Sequence, residues 1–260
     1  MNGQAFWFFS RGTGVVSLVL FTATLLLGIT SVSRWSSEKW PRFVTQHLHR
    51  NLSLLGLSFL VIHIVSTVLD TYVSITLVNA VVPFSGTYRP IWLGLGALSF
   101  DLLLAIIITS LVRVRMGHAT WRAIHWLSYA MWPLAVVHGL GTGSDAKARW
   151  MLLVTGSCVA AVAVALARRV AMGWRDDMTP RERTVRVFAA VATVLGPLAL
   201  AGWLITGPLT PGWGKAAGAT AVAKSASASG PVTVGNATAN SVTATTEDAS
   251  VRVQSESDSQ

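Results

Sequence analysis

Cysteine is almost absent from this sequence. Cys158 is the only cysteine among 260 residues, and it lies within an apolar run. A single cysteine cannot form an intrachain disulfide, and metal sites built on thiolates need several cysteines. Any metal-binding set in this chain must therefore use other side chains.

Charged residues are also scarce. They make up 12% of the sequence, against about 25% in a typical soluble domain, while hydrophobic residues make up 52%. The mean hydropathy is +0.54. Six apolar segments are long enough to cross a hydrocarbon core of about 30 Å. The sequence therefore predicts an all-α integral membrane bundle of six transmembrane helices, at 13–31, 47–69, 91–112, 121–140, 150–167 and 187–205.

Aromatic side chains are missing from the last part of the sequence. Residues 215–260 are rich in Ala, Ser and Thr, a composition that buries too little apolar surface to fold. We therefore expect two regions: a transmembrane domain at 1–214, and a disordered extracytoplasmic tail at 215–260.

A nucleotide-binding signature is missing as well. The sequence contains no G-x-G-x-x-G, the glycine pattern that lets a backbone approach a dinucleotide pyrophosphate. The chain is therefore predicted to have no flavin or nicotinamide site of its own.

The positive charge is concentrated between the apolar segments. The net charge is +9, and 13 of the 20 Lys and Arg residues lie in the links 32–50, 113–122 and 168–186. Cytoplasmic loops carry the excess of basic residues in membrane proteins. We therefore expect these links in the cytoplasm and both termini outside it, in a multi-pass protein of the cell inner (plasma) membrane. This explains the charge without a nucleic-acid partner.

Four histidines within two of the segments indicate the function. His49 and His63 lie 14 residues apart, and His125 and His138 lie 13 residues apart. At about 1.5 Å per residue, each pair spans roughly 20 Å along a helix. The predicted topology makes the two helices parallel, so His49 lies level with His125, and His63 with His138. Facing imidazoles in a helix bundle are typical axial ligands of six-coordinate haem, so the sequence predicts two b haems at different depths.

The helical phase of the second pair is less favourable. Fourteen residues leave His49 and His63 about 40° apart around a helix, whereas thirteen leave His125 and His138 about 140° apart. Pro133 lies between the latter two. Since proline removes a backbone hydrogen bond and kinks a helix, it offers a way to re-phase them.

Three further charged residues have two readings each. Arg50 directly follows His49, and Arg122 precedes His125 by three residues. Each arginine can pair with a haem propionate or simply anchor the cytoplasmic membrane surface. Asp101 lies in the middle of an apolar segment, where a carboxyl needs a proton or a partner. It can relay protons or hydrogen-bond within the bundle.

Three stretches carry a family resemblance: WPRFVTQHLHRNLSLLGLSFLVIHI, VVPFSGTYRP and WRAIHWLSYAMWPLAVVHGLGTGSD. From residue 5 to residue 205 the chain resembles the ferric reductase-like transmembrane domain family. This family includes the haem subunit of the periplasmic methionine sulfoxide reductase system and the membrane halves of NADPH oxidases. The resemblance implies a bundle that binds b haem at His49, His63, His125 and His138 and carries electrons across the membrane. Where NADPH oxidases have a cytoplasmic flavin and nicotinamide domain, this chain has another membrane segment and the tail.

Two classes of function fit these features. The first is the haem-containing electron-transfer subunit of a transmembrane oxidoreductase. Its electrons would come from a cytoplasmic flavin reductase or a quinol and pass to an extracytoplasmic redox protein or a ferric chelate. The second is a transporter of protons or metal ions, or a structural membrane protein, that uses the buried histidines. An absorption spectrum distinguishes the two classes.

Overall fold

The computed structural model describes residues 3–32, 41–70, 73, 75–174 and 178–213. The tail predicted to be disordered, 215–260, lies outside the described residues. The described part is entirely helical, which confirms the all-α prediction there. It contains α1 Gly3–Val32, α2 Arg42–Leu69, α3 Leu77–Val81, α4 Pro90–Leu111, α5 His118–His125, α6 Ser128–Thr142, a 3-10 helix Ser144–Lys147, α7 Arg149–Met172 and α8 Pro180–Thr206.

Five of these helices, α1, α2, α4, α7 and α8, are long and apolar enough to cross a membrane. They correspond to five of the six predicted segments. The remaining segment, 121–140, is divided between α5 and α6. The 15 residues of α6 extend about 22 Å, less than the hydrocarbon thickness of about 30 Å. A sixth span therefore requires α5 and α6 to cross together, and it stays a prediction.

The outer surface of the bundle is apolar. Large hydrophobic side chains point away from the protein on several helices, for example Leu153 at 70% exposure and Phe188 at 70%. A soluble protein rarely exposes apolar patches of this extent. The chain is therefore a multi-pass membrane protein whose exposed helix faces contact the lipid bilayer.

The helices form two closely packed pairs, α1 with α2 and α4 with α6, and α7 packs on α1 and α8. The buried core joins α1, α4, α6 and α7. Within it, the indole Nε1 of Trp132 donates a 2.9 Å hydrogen bond to Thr22 Oγ1. The helices that carry the histidines, α2 and α6, share no extended interface. This arrangement leaves space between them.

The helix is interrupted between α5 and α6. α5 ends at His125, and α6 begins at Ser128. Across this junction and the first residues of α6, the amides of Leu127, Tyr129 and Ala130 each bond to the carbonyl three residues earlier. Such turns advance about 120° per residue instead of about 100°. They therefore rotate the two histidine positions toward a common face.

Pro133, which we expected to re-phase the histidines, lies inside α6. A proline clashes with the carbonyl four residues before it, here that of Tyr129. The tight turns thus include Tyr129, whose carbonyl the proline ring would meet. The interruption between α5 and α6 itself lies before Pro133 in the sequence.

The link between α2 and α4 contains the short helix α3. Thr76 and Asn79 form a capping box at its start. The apolar side chains of Leu77 and Val78 are both 61% exposed. Such a short apolar helix suits the membrane interface, since its 5 residues cannot span the bilayer.

Candidate functional site

Helix α2 places two histidines at different depths. It continues unbroken from Arg42 to Leu69, so His49 and His63 are separated by roughly 20 Å along its axis. The His49 ring faces the ring of His125 at the end of α5, with 6.2 Å between ring centroids and an interplanar angle of 56°. The structure thus brings together one of the two expected pairs.

The spacing of this pair fits a metal ion between the rings. Metal–imidazole bonds of about 2.0–2.1 Å, with about 1.2 Å from each nitrogen to its ring centre, place two axial imidazoles roughly 6.4 Å apart. The observed separation is 6.2 Å. A separation of this size would allow both rings to bind one metal ion.

His63 and His138 share a cavity at the other level. Both line a cavity of about 280 Å³, and Asp70 and Asn79 of the α2–α4 link also line it. Since His49 meets α5 while His63 shares a cavity with His138, α2 and the α5–α6 segment run in the same direction. The parallel arrangement matches the one expected from the charge distribution.

Three of the four rings are held by backbone carbonyls. The Nδ1 of His49 lies 3.0 Å from the carbonyl oxygen of Thr24, that of His63 lies 2.6 Å from Ser10, and that of His138 lies 2.9 Å from Trp92.

A carbonyl oxygen can only accept a hydrogen bond, so Nδ1 carries the proton in each of these three rings. Their Nε2 atoms consequently keep the lone pair that a metal ion needs. Metal-binding histidines usually have this second hydrogen bond, which fixes the tautomer and orients the ring.

His125 is held differently. Its ring stacks on Trp121, with centroids 5.0 Å apart and planes inclined by 27°. Its Nδ1 is buried and has no hydrogen-bond partner among the described residues. Stacking rather than a carbonyl orients the fourth ring.

The two arginines and the aspartate of the sequence analysis lie outside these pairs. Arg50 and Arg122 are exposed, next to His49 on α2 and three residues before His125 on α5. Asp101 is half-buried in the middle of α4. Pairing of the arginines with propionates, and either role of Asp101, stay predictions.

Each site offers two imidazoles rather than a full set of protein ligands. Among the described residues, no group of three or more His, Cys, Asp or Glu side chains is placed to hold a metal ion. A pair of facing imidazoles suits an ion whose other ligands belong to a macrocycle, whereas structural zinc takes four protein ligands. The arrangement therefore fits haem, and the ligand role of the histidines stays a prediction.

Sequence analysis missed a buried arginine at the end of the bundle that carries His63 and His138. Arg89 is only 5% exposed, and its backbone is left-handed with φ 41°. Its Nη1 donates a 2.6 Å hydrogen bond to the carbonyl oxygen of Gly141 and so ties the start of α4 to the end of α6. The only sequence signal is its place directly before Pro90, where a helix begins.

Comparison with known proteins finds a similarity to one family model. Residues 13–136 match the family model described as ferric reductase like transmembrane component. No curated protein and no solved structure shows a significant match. The matched region contains three of the four paired histidines, His49, His63 and His125, and ends two residues before His138. The match supports a ferric reductase-like transmembrane domain over residues 13–136.

Proposed function

We propose that the chain is a b-type haem membrane protein that carries electrons across the membrane, as the redox subunit of a transmembrane oxidoreductase. The observation that carries this proposal is the 6.2 Å separation of the His49 and His125 rings. The family match supports a membrane redox role.

The residues of the site have separable tasks. The His49–His125 and His63–His138 pairs would each supply two axial nitrogens, and bis-imidazole b haem takes up and releases single electrons. Thr24, on α1, orients the His49 ring through its carbonyl. Arg50 and Arg122 would pair with propionates, because guanidinium binds carboxylates with two parallel hydrogen bonds.

The partners follow from what the sequence provides. Without the nucleotide-binding glycine pattern, the chain needs a separate donor, which we propose is a cytoplasmic flavin reductase or a quinol. The acceptor would be an extracytoplasmic redox protein or a ferric chelate. The depth difference of roughly 20 Å between His49 and His63 lets two haems divide the membrane between them.

A spectrum of the purified protein tests this proposal most directly. The protein, purified from cells supplied with haem, should be red and give the reduced-minus-oxidised spectrum of low-spin b haem, because two imidazoles would hold each haem. Haem should be present at two per chain. A colourless preparation that is folded and haem-free would contradict the redox proposal and favour a transporter or structural protein.

The orientation needs a separate experiment. A reporter active on one side of the membrane should show residue 174 in the cytoplasm and residue 213 outside it, because the basic link 168–186 resists translocation. The matched control is a variant with Arg168, Arg169 and Arg181 replaced by Gln, which weakens the signal without adding negative charge. Cytoplasmic activity after residue 213 would reverse the proposed orientation and the direction of electron flow.

A further inference from the structure

Three glycines face the three carbonyl-bound histidine rings. A Cβ added to Gly14 on α1 would lie 3.0 Å from the Cε1 and Nδ1 of His63. A Cβ on Gly28 would lie 3.6 Å from the Cε1 of His49, and a Cβ on Gly96 on α4 would overlap the His138 ring. Each ring thus lies against a helix at a position where no side chain projects.

The same three glycines stand in a fixed relation to the carbonyls. Ser10 precedes Gly14 by four residues, Thr24 precedes Gly28 by four, and Trp92 precedes Gly96 by four. The Cα–Cβ bond of a helical residue tilts toward the helix N-terminus, so the residue at i+4 lies over the carbonyl of residue i. Glycine at i+4 leaves that carbonyl accessible to a ring from another helix.

The spacing repeats along α1. Gly14 and Gly28 are 14 residues apart, as are His49 and His63 on α2. His63 contacts Ser10 near the start of α1, and His49 contacts Thr24 nearer its end, so α1 and α2 are antiparallel. The 14-residue spacing on both helices gives the same carbonyl–histidine contact at both levels. A single geometric unit, a carbonyl with glycine four residues later, therefore occurs at two levels of α1 and once more on α4.

We propose that Gly14, Gly28 and Gly96 are positioning residues for the haem-ligating histidines. Each keeps a backbone carbonyl open so that the imidazole donates its Nδ1 proton there and directs Nε2 into the bundle. This inference rests on the proposed function, since directing Nε2 into the bundle serves a purpose only if Nε2 binds a metal ion there. The competing explanation is ordinary close packing, for which membrane helices also use small residues.

Alanine substitutions at these glycines test the inference in the full chain, purified in lipid nanodiscs. We expect the loss of haem to increase as the added Cβ comes closer to the histidine ring. Gly96→Ala should therefore have the largest effect, Gly14→Ala an intermediate one and Gly28→Ala the smallest. Gly96→Ala should weaken haem retention at the His138 level by about tenfold or more, the usual range for losing a hydrogen bond to a metal ligand. The other haem level should be unaffected.

Where haem is retained, the reduction potential distinguishes positioning from packing. The Nδ1 hydrogen bond makes an imidazole a more basic ligand and so stabilises the oxidised iron. Gly14→Ala and Gly28→Ala should therefore raise the midpoint potential of one haem each.

Two glycines provide matched controls. Gly12, also on α1, has open space around an added Cβ, and a Cβ on Gly56 would lie 3.1 Å from the Phe21 ring without meeting a histidine. Gly12→Ala should change nothing, whereas Gly56→Ala should lower stability without moving either potential. If Gly14→Ala behaves like Gly56→Ala, the glycines only serve packing and the inference is wrong.

A readout independent of haem separates this inference from the proposed function. In protein labelled with ¹⁵N-histidine, the wild-type rings of His49, His63 and His138 should show hydrogen-bonded Nδ1–H signals, with or without haem. Gly14→Ala should remove the His63 signal. If the Gly96→Ala protein is not produced in folded form, the Gly14→Ala variant alone tests the inference. If the wild type is haem-free but shows the His63 signal, and Gly14→Ala removes that signal, the inference is upheld while the proposed function is contradicted. An unchanged His63 signal in Gly14→Ala would overturn the inference whatever the haem content.

Discussion

Replacing His138 with alanine should remove the haem it shares with His63 and leave the other haem in place. In the proposed function His138 would bind the iron directly, so haem affinity at that level should fall by more than about 100-fold. Losing only a hydrogen-bond partner of a metal ligand costs about 10- to 100-fold. His63→Ala should empty the same level, whereas His49→Ala and His125→Ala should empty the other. Haem content per chain and the low-spin signals in electron paramagnetic resonance measure the outcome.

His47→Ala is the control for these variants, because His47 lies on α2 two residues before His49 and is exposed. It should retain both haems. The double variant His63→Ala/His138→Ala should lose no more haem than either single variant, since both residues serve one level. If His49→Ala and His138→Ala emptied the same level instead, the pairing of α2 with the α5–α6 segment would be wrong.

Electron transfer across sealed vesicles should require both histidine levels. Vesicles that contain the protein and trapped ferricyanide should reduce the ferricyanide when a flavin reductase and NADH are added outside. The isolated chain without the reductase should not oxidise NADH above background, because its sequence contains no G-x-G-x-x-G pattern. The rate of ferricyanide reduction, followed by absorbance, measures the transfer.

Loss of either level should reduce this transfer to the rate of protein-free vesicles. The two levels are separated by roughly 20 Å along α2, so removing one leaves a gap that extends over most of the hydrocarbon core. His47→Ala vesicles should transfer electrons at the wild-type rate. Rapid NADH oxidation by the chain alone would reveal a nucleotide site, and no transfer with any donor would favour a sensory or structural haem protein.

Most of the helices could be predicted from the sequence because a membrane imposes simple requirements. A span needs about 20 apolar residues and satisfies its backbone internally, so the apolar runs that became α1, α2, α4, α7 and α8 are visible in composition alone. The level match of His49 with His125 also follows from spacing and basic-residue distribution. These features depend on local sequence and on the bilayer, both of which are known before folding.

The fourth predicted segment shows where such reasoning stops. Its apolar composition and length indicate one helix, yet the tight turns after His125 divide it into α5 and α6. Helix propensity predicts that a segment is helical. It does not reveal where hydrogen bonds to the carbonyl three residues earlier replace those to the carbonyl four residues earlier. That choice depends on how the segment packs against α4 and α1.

The sequence by itself predicted which histidines share a level, and only the tertiary structure decided how their rings are held. Ser10, Thr24 and Trp92 act through backbone carbonyls, which every residue has, so their side chains give no sign of the role. The glycines four residues later are equally inconspicuous among 22 glycines. Their significance arises only when α1 packs on α2 and α4 on α6, because an open carbonyl matters only where another helix brings an imidazole to it.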